Sequence, residues 1–330
     1  MSHLVRVNKI PAVRLSLSLM LLAMILSLVS CRKPETVAAG SLNTGPANNA
    51  PKTFASPEEA GAALLKAAKS GDQASLLEIF GPDGQEILFS GNSVVDKNAL
   101  KDFSAAYETM NRWGKIDAGG QMLYVGAENF PFPIPLENDS SGRWFFNTAE
   151  GADEVLARRI GRNELVAMAA IQAIANAQQQ YFNQVKPGGK VQHYAQKFVS
   201  DEGKHDGLYW PDSKGGTTSP LGQMGDFAKG AGYTSSGEKP KPFYGYNFRI
   251  LTKQGKTAKG GAKDYVVDGN MVGGFAILAY PADYQDSGIM TFMIGTDGIV
   301  YQKDLGENTV QSAEAMTEYN PGDGWERVTK

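Results

Sequence analysis

The chain has 330 residues, 42% of them hydrophobic and 20% charged, with a formal charge of −3. This is an ordinary globular balance, enough for one large core or two modest ones, and its slight acidity offers no footing for nucleic acid as a partner. Its single cysteine excludes an internal disulfide.

In chain order, Arg6, Lys9 and Arg14 precede an acid-free apolar run from Leu15 to Val29. The run is about as long as a secretory hydrophobic region and short for a membrane span. It ends in Leu28-Val29-Ser30-Cys31, which resembles a bacterial lipobox. The resemblance implies a lipoprotein signal peptide over residues 1–30, with diacylglycerol and further acylation such as palmitate on Cys31. Several acyl chains anchor a protein stably where one is marginal. Arg32, in place of an aspartate, points by the same resemblance to the outer membrane, facing the periplasm. The alternative is a secreted signal that happens to end near a cysteine, or an uncleaved anchor.

Residues 31–53 follow as a tether, rich in Ala, Asn, Gly and Pro and too poor in large apolar side chains to offset the entropy of ordering. About twenty such residues reach roughly 25 Å.

An N-terminal unit is expected over residues 54–148. Ser56-Pro57-Glu58-Glu59 reads as an N-cap, a proline at the first helical position and a glutamate that bonds back, and Gly71 ends that helix. Asp72 caps a second helix, Gln73 to Phe80, and Gly81-Pro82-Asp83-Gly84 turns the chain out of it. The pattern then predicts a short strand from Glu86 to Phe89 and a helix from Lys97 to Trp113. Strands are expected from Gln121 to Glu128 and from Arg143 to Asn147. Between them FPFPIPLE (Phe130 to Glu137) alternates proline with large apolar residues. Proline cannot donate to a ladder, so this is an edge strand or a polyproline-like segment, a form that also suits peptide docking. Phe132, Ile134 and Leu136 share one face of an extended chain, which fits burial better. The order of elements resembles the cone-shaped fold shared by nuclear transport factor 2 and ketosteroid isomerase, and that likeness implies a pocket.

A C-terminal unit is expected over residues 149–330. A long helix runs from Glu150 to Val185 with Asn147 and Glu150 as its cap pair. Leu165, Met168, Ile171, Ala175, Gln178 and Phe182 form one stripe, beside Ala167, Ala170, Ile174, Ala177 and Tyr181. Gln172, Asn176, Gln179 and Asn183 lie opposite. That broad apolar side needs a sheet, and strands are expected at Tyr244–Thr252, Tyr265–Val267, Gly274–Tyr280, Ile289–Ile294 and Ile299–Gln302 as antiparallel neighbours. Thr296-Asp297-Gly298 is a hairpin turn. The predicted class is α+β: a helical and antiparallel-sheet unit, then a long helix on an antiparallel sheet.

The segments RRIGRNELVAM, YAQKFVS, DGLYWP, SPLG, GYNFRILT, GGFAILAYPADY and MTFMIGTDGIVYQKDLG resemble the bacterial envelope family catalogued as domain of unknown function 2950. The resemblance covers nearly the whole chain after Cys31 and implies an exported, usually lipid-anchored protein without an assigned activity. Many members carry an acidic DxDGDG-type loop after the long helix, which would suit calcium. Residues 183–190 here read NQVKPGGK, without a carboxylate, so that implication does not carry over. The C-terminal half is also similar in architecture to the heads of type IV pilins and pseudopilins. Arg158, Arg159 and Arg162 stand where a pilin carries its hydrophobic spine, so the likeness extends to the head's packing alone.

Catalytic signals are sparse. His193 and His205 fit no zinc spacing, and no metal ligand set is evident. No nucleophile elbow and no cofactor motif is present either. Arg158, Arg159 and Arg162, with Glu154 and Glu164, could clamp an anion; alternatively Glu154 and Arg158 are an i,i+4 helix pair and the other charges are solvated or bridge the two halves. In KHDGLYWP (Lys204 to Pro211), His205 could be a general base oriented by Asp206, with Tyr209 and Trp210 as a ring-binding wall. Alternatively Asp206-Gly207 is a turn and Leu208 and Trp210 are buried anchors. The structural reading fits better, because adjacent residues of an extended chain point to opposite faces. The sequence thus predicts a lipid-anchored envelope protein that binds or assembles, its partners being the membrane through its lipid and an envelope protein or peptidoglycan. An envelope hydrolase or transferase using His205, Asp206 or the arginines is the alternative.

Overall fold

A computed structural model of the chain describes residues 50–90, 93–116, 119–184, 191–211, 218–222, 224, 242–322 and 324–329. The leader, Cys31, the tether as far as residue 49 and most of the NQVKPGGK loop lie outside the described residues. Residues from Asn48 onward make one compact unit with two hydrophobic cores.

Helix α1 (Pro57–Ser70) starts as its cap sequence dictates: the Glu59 N–H donates to Ser56 Oγ at 3.2 Å, and the Glu59 carboxylate accepts from the Ala55 N–H at 2.7 Å. Gly71, with φ 64°, ends it in the left-handed region that costs glycine little. Asp72 caps α2 (Gln73–Phe80), accepting from the Ala74 N–H at 3.1 Å. The strand expected at Glu86–Phe89 is instead a short helix, α3 (Gly84–Leu88). Gly84 and Gln85 donate back to the Gly81 and Pro82 carbonyls, so the turn winds on into a helix instead of releasing the chain.

Helix α4 (Ser93–Thr109) starts and stops earlier than its apolar spacing suggests. The residues expected to end it, Asn111 to Trp113, pair instead: β1 (Asn111–Lys115) runs antiparallel to β2 (Gln121–Val125), with Trp113 opposite Leu123. Gly126 seals the helix end by donating to the Ala106 and Met110 carbonyls.

FPFPIPLE divides in two. Its first part, β3 (Phe130–Pro131), lies on β2, and its last residues enter β4 (Leu136–Asn138), which pairs with β2 and with β5 (Trp144–Phe146). Ile134 and Leu136 are buried, and the Phe132 ring sits 5.4 Å from that of Phe103 and 5.9 Å from that of Phe146. These rings, with Phe54, Leu64, Leu76, Phe80 and Leu123, form the first core.

Helix α5 (Thr148–Gln184) serves both cores. A rise of about 1.5 Å per residue makes its 37 residues about 55 Å long. Near its start Gly151 presses against Ile134, and Val155 packs on the first core. Ala167, Ala170, Ile171, Ile174, Ala177 and Tyr181 then enter the second. Both expected stripes are covered, with Ile171, Ala175 and Gln178 buried beside the Ala167-to-Tyr181 row; Leu165 is the exception and is exposed.

The covering sheet is antiparallel in the order β14 (Glu326–Arg327), β13 (Val300–Asp304), β12 (Met290–Gly295), β11 (Ala276–Pro281), β6 (Tyr246–Leu251). Every residue of β11 is buried, so both its faces are covered. Helix α5 packs on β11 and β12, and α6 (Thr309–Ala315) also packs on β11. Tyr265–Val267 is not a neighbour in this sheet. It belongs to small side ladders: β7 (Lys253–Gln254) with β8 (Lys263–Asp264), and β9 (Val266–Val267) with β10 (Asn270–Met271). Gly298, with φ 71°, makes the predicted turn between β12 and β13. No helix among the described residues is long and apolar enough to cross a membrane.

Candidate functional site

Between the residues that α5 contributes to the first core and those it contributes to the second, Arg158, Arg159 and Arg162 border a cavity of about 450 Å³. Its interior is apolar. Leu64, Leu76, Phe80, Val125 and Ile134 are buried lining residues, and Leu100, Phe103 and Phe132 are half-buried ones. Ser90, Ala99, Asp102, Phe130 and Arg162 also line it but are exposed, which places the opening at their end. Two carboxylates, Asp96 and Asp102, complete the charged lining. Asp96 Oδ1 accepts from the Ser90 N–H at 3.0 Å and from its hydroxyl at 2.6 Å, which pins the chain entering α4.

The three arginines have different work. Arg158 donates to Glu154 at 2.6 Å and to the Pro131 carbonyl at 2.6 Å, with its guanidinium 4.6 Å from the centre of the Phe130 ring. Arg159 is mostly buried and donates to the Glu86 and Ile87 carbonyls at 2.9 and 2.7 Å and to Asp286 at 3.1 Å. It thereby ties α3 to the loop between β11 and β12. Arg162 makes no hydrogen bond or ion pair with any described residue. Burial, reinforced by like-charged Arg159, lowers its pKa below the ordinary arginine value, while Tyr244 and Asp96 act in the opposite sense. Its accessible surface is nonetheless that of an exposed residue. Both descriptions fit a group on a cavity wall, which is surrounded by protein yet open to a small molecule. Glu164, the fourth residue of the expected clamp, faces elsewhere and accepts from the Ile289 and Met290 N–H groups, both at 3.0 Å, holding the start of β12.

KHDGLYWP lies apart from the cavity lining. Leu208, Tyr209 and Trp210 are buried in the second core. Tyr209 exchanges hydrogen bonds with its neighbours: its N–H donates to the Phe198 carbonyl and its carbonyl accepts from the Ser200 N–H, both at 2.8 Å. A methyl group added to Gly207 would lie 2.6 Å from the Val199 carbonyl carbon, so only glycine lets the two segments come this close. His205 is exposed and stacks on Trp210 with ring centres 4.3 Å apart. Asp206 turns away from it, pairing with Lys197 at 2.8 Å and accepting from the Asp201 N–H at 3.0 Å. Hydrogen bonds from Lys197 and Lys204 hold the neighbouring Asp201 carboxyl at about 2. Histidine and aspartate thus do not form a base-and-orienter pair, and the two aromatic rings are occupied by core packing. Among the described residues no group of three or more His, Cys, Asp or Glu side chains could hold a metal ion.

The cavity lining was not legible as a set, because its members come from α1, α2, α3, α4, β2, FPFPIPLE and α5. Two signals bear on it: the likeness to a cone-shaped fold, which implies a pocket in this half, and the cluster of Arg158, Arg159 and Arg162, all three of which line the cavity.

Fold and site together define an α+β protein with an apolar, open-ended cavity bordered by guanidinium groups. The chain belongs to the family described as Protein of unknown function (DUF2950), which matches residues 51–328. No curated protein and no solved structure matches it.

Proposed function

We propose that this chain is a lipid-anchored protein of the cell envelope that acts by binding a small apolar molecule in the cavity. The cavity itself carries the reading. At about 450 Å³ with a mostly apolar lining, it falls within the roughly 300–1,000 Å³ of small-molecule sites. The leader and Cys31 support attachment to the membrane, and the tether would let the folded unit face the periplasm, within reach of an envelope protein or peptidoglycan.

The neutral fluorophore N-phenyl-1-naphthylamine tests the cavity on the chain from Asn48 onward. Saturable fluorescence enhancement is expected, and filling the cavity with Ala106→Phe, or with Ala99→Trp nearer the opening, should weaken it at least about tenfold at unchanged melting temperature. Equal binding by both folded variants would place the probe elsewhere and sink the reading. For the anchor, Cys31→Ser in the full chain should abolish incorporation of an alkyne-labelled palmitate and move the protein out of the membrane fraction. Retained label and sedimentation would remove Cys31 from that role.

A further inference from the structure

We propose that the cavity selects an amphipathic acid, with its apolar body against Phe80, Leu100, Phe103 and Phe132 and a single carboxylate on Arg162. This rests on the cavity being a binding site and adds the chemical class of its ligand. Three observations converge on it.

First, the charges on the lining are unequally engaged. Arg158 is committed to Glu154 and the Pro131 carbonyl, and Arg159 to Asp286 and two carbonyls of α3. Arg162 alone among the three has no hydrogen-bonded partner in the described residues. A guanidinium carries five donors, so leaving all of them to solvent at the edge of an apolar cavity wastes its recognition capacity.

Second, Arg159 stands three residues before Arg162 on the same helix and lines the same cavity, so its charge, partly offset by Asp286, adds to the attraction for an incoming anion. Asp96 is partly satisfied by Ser90, and its carboxylate cannot be in full contact with Arg162, since no ion pair forms between them.

Third, the wall is chemically divided. Apolar side chains occupy the buried part, while Arg162 lies among the exposed lining residues with Phe130 and Asp102. A ligand that fills both parts has an apolar body and a polar head. The planar fork of Arg162 matches the two oxygens of a carboxylate. Asp96 and Asp102 on the same lining disfavour a head with several negative charges.

Calorimetric titration of the chain from Asn48 onward with decanoate, decanol and decylamine separates the possibilities. Decanoate should bind at least about tenfold more tightly than decanol, the scale of one charge-assisted hydrogen-bonded pair, and decylamine should bind more weakly than either. Arg162→Gln should reduce decanoate to the level of decanol and leave decanol unchanged; Arg162→Lys should restore part of the preference. Equal affinity of the wild type for decanoate and decanol, or a preference that survives Arg162→Gln, would overturn the assignment while leaving an apolar cavity site intact. If neither decanol, decanoate nor the neutral fluorophore binds, the cavity reading itself fails and this inference with it.

Discussion

Trp210→Ala is expected to destabilise the protein by about 3–5 kcal/mol, the range for truncating a large aromatic side chain in a core. Trp210 is 3% exposed and belongs to the same cluster as Leu208, Ile171 and Phe275. The loss has two parts: apolar surface returns to water on unfolding to a smaller extent, and the space left by the indole closes only partly. His205, stacked on the indole, also loses its support. Converted at about 2–4 °C per kcal/mol for a unit of this size, the melting temperature should fall by about ten degrees. Asp206→Ala should do much less, about 1 kcal/mol or below, because its ion pair with Lys197 is partly exposed and screened. Thermal unfolding of both variants checks the contrast. A Trp210→Ala protein that melts like the wild type would mean that the indole contributes nothing to the core, and would return KHDGLYWP to consideration as a binding surface.

Gln178→Leu is expected to cost about 2–4 kcal/mol, although it replaces a polar residue by an apolar one of similar size inside a core. Gln178 is fully buried. Its Nε2 donates to the Ala195 carbonyl at 2.8 Å, and its Oε1 accepts from the Ala195 N–H at 2.9 Å. The amide side chain therefore acts as a neighbouring strand would, satisfying both peptide groups of a buried residue. Leucine leaves those two groups unpaired, and each orphan costs about 1–3 kcal/mol, reduced where the loop relaxes. Denaturant unfolding should show a lower midpoint at an unchanged slope. An unchanged midpoint would mean that water or another donor takes over, and that this contact is not what fixes the loop onto α5.

Gln178 also illustrates what a periodic pattern can and cannot convey. Its position on the apolar stripe of α5 was readable, since helix spacing alone puts it in line with Ile171 and Ala175. Its partner was not readable, because Ala195 comes from a segment whose course depends on the finished core. Leu165 shows the converse: it is apolar and falls on the expected stripe, yet it is exposed while Ile171 and Ala175 of the same stripe are buried. At Glu86–Phe89 the short apolar run forms one helical turn and not the expected strand, two outcomes that period alone does not separate. At Asn111–Trp113 the expected helix gives way to pairing with β2, Trp113 lying opposite Leu123 ten residues further along the chain.

The candidate site divides along the same line. The cluster of Arg158, Arg159 and Arg162 was visible as a group of cations at helical spacing, but spacing could not distribute the work among them. Arg159 finds carbonyls from α3 and a carboxylate from the loop after β11, and Arg158 finds one carbonyl on β3; only these distant partners leave Arg162 unengaged.

By itself the sequence determined the features that depend on neighbours within a few residues: the caps of α1 and α2, the span and amphipathic character of α5, the alternating strands around a glycine turn, the α+β class and membership of the family. Tertiary structure alone decided that Leu165 of α5 is left exposed, how Phe130 to Glu137 is shared between two strands, and which segments the expected anchors Leu208 and Trp210 pack against. It also decided that side chains from seven segments enclose a cavity. The physical reason is range: helix caps, turns and periodicity act over one or two turns of chain, whereas burial and the pairing of charges are settled by segments that meet only when both cores close.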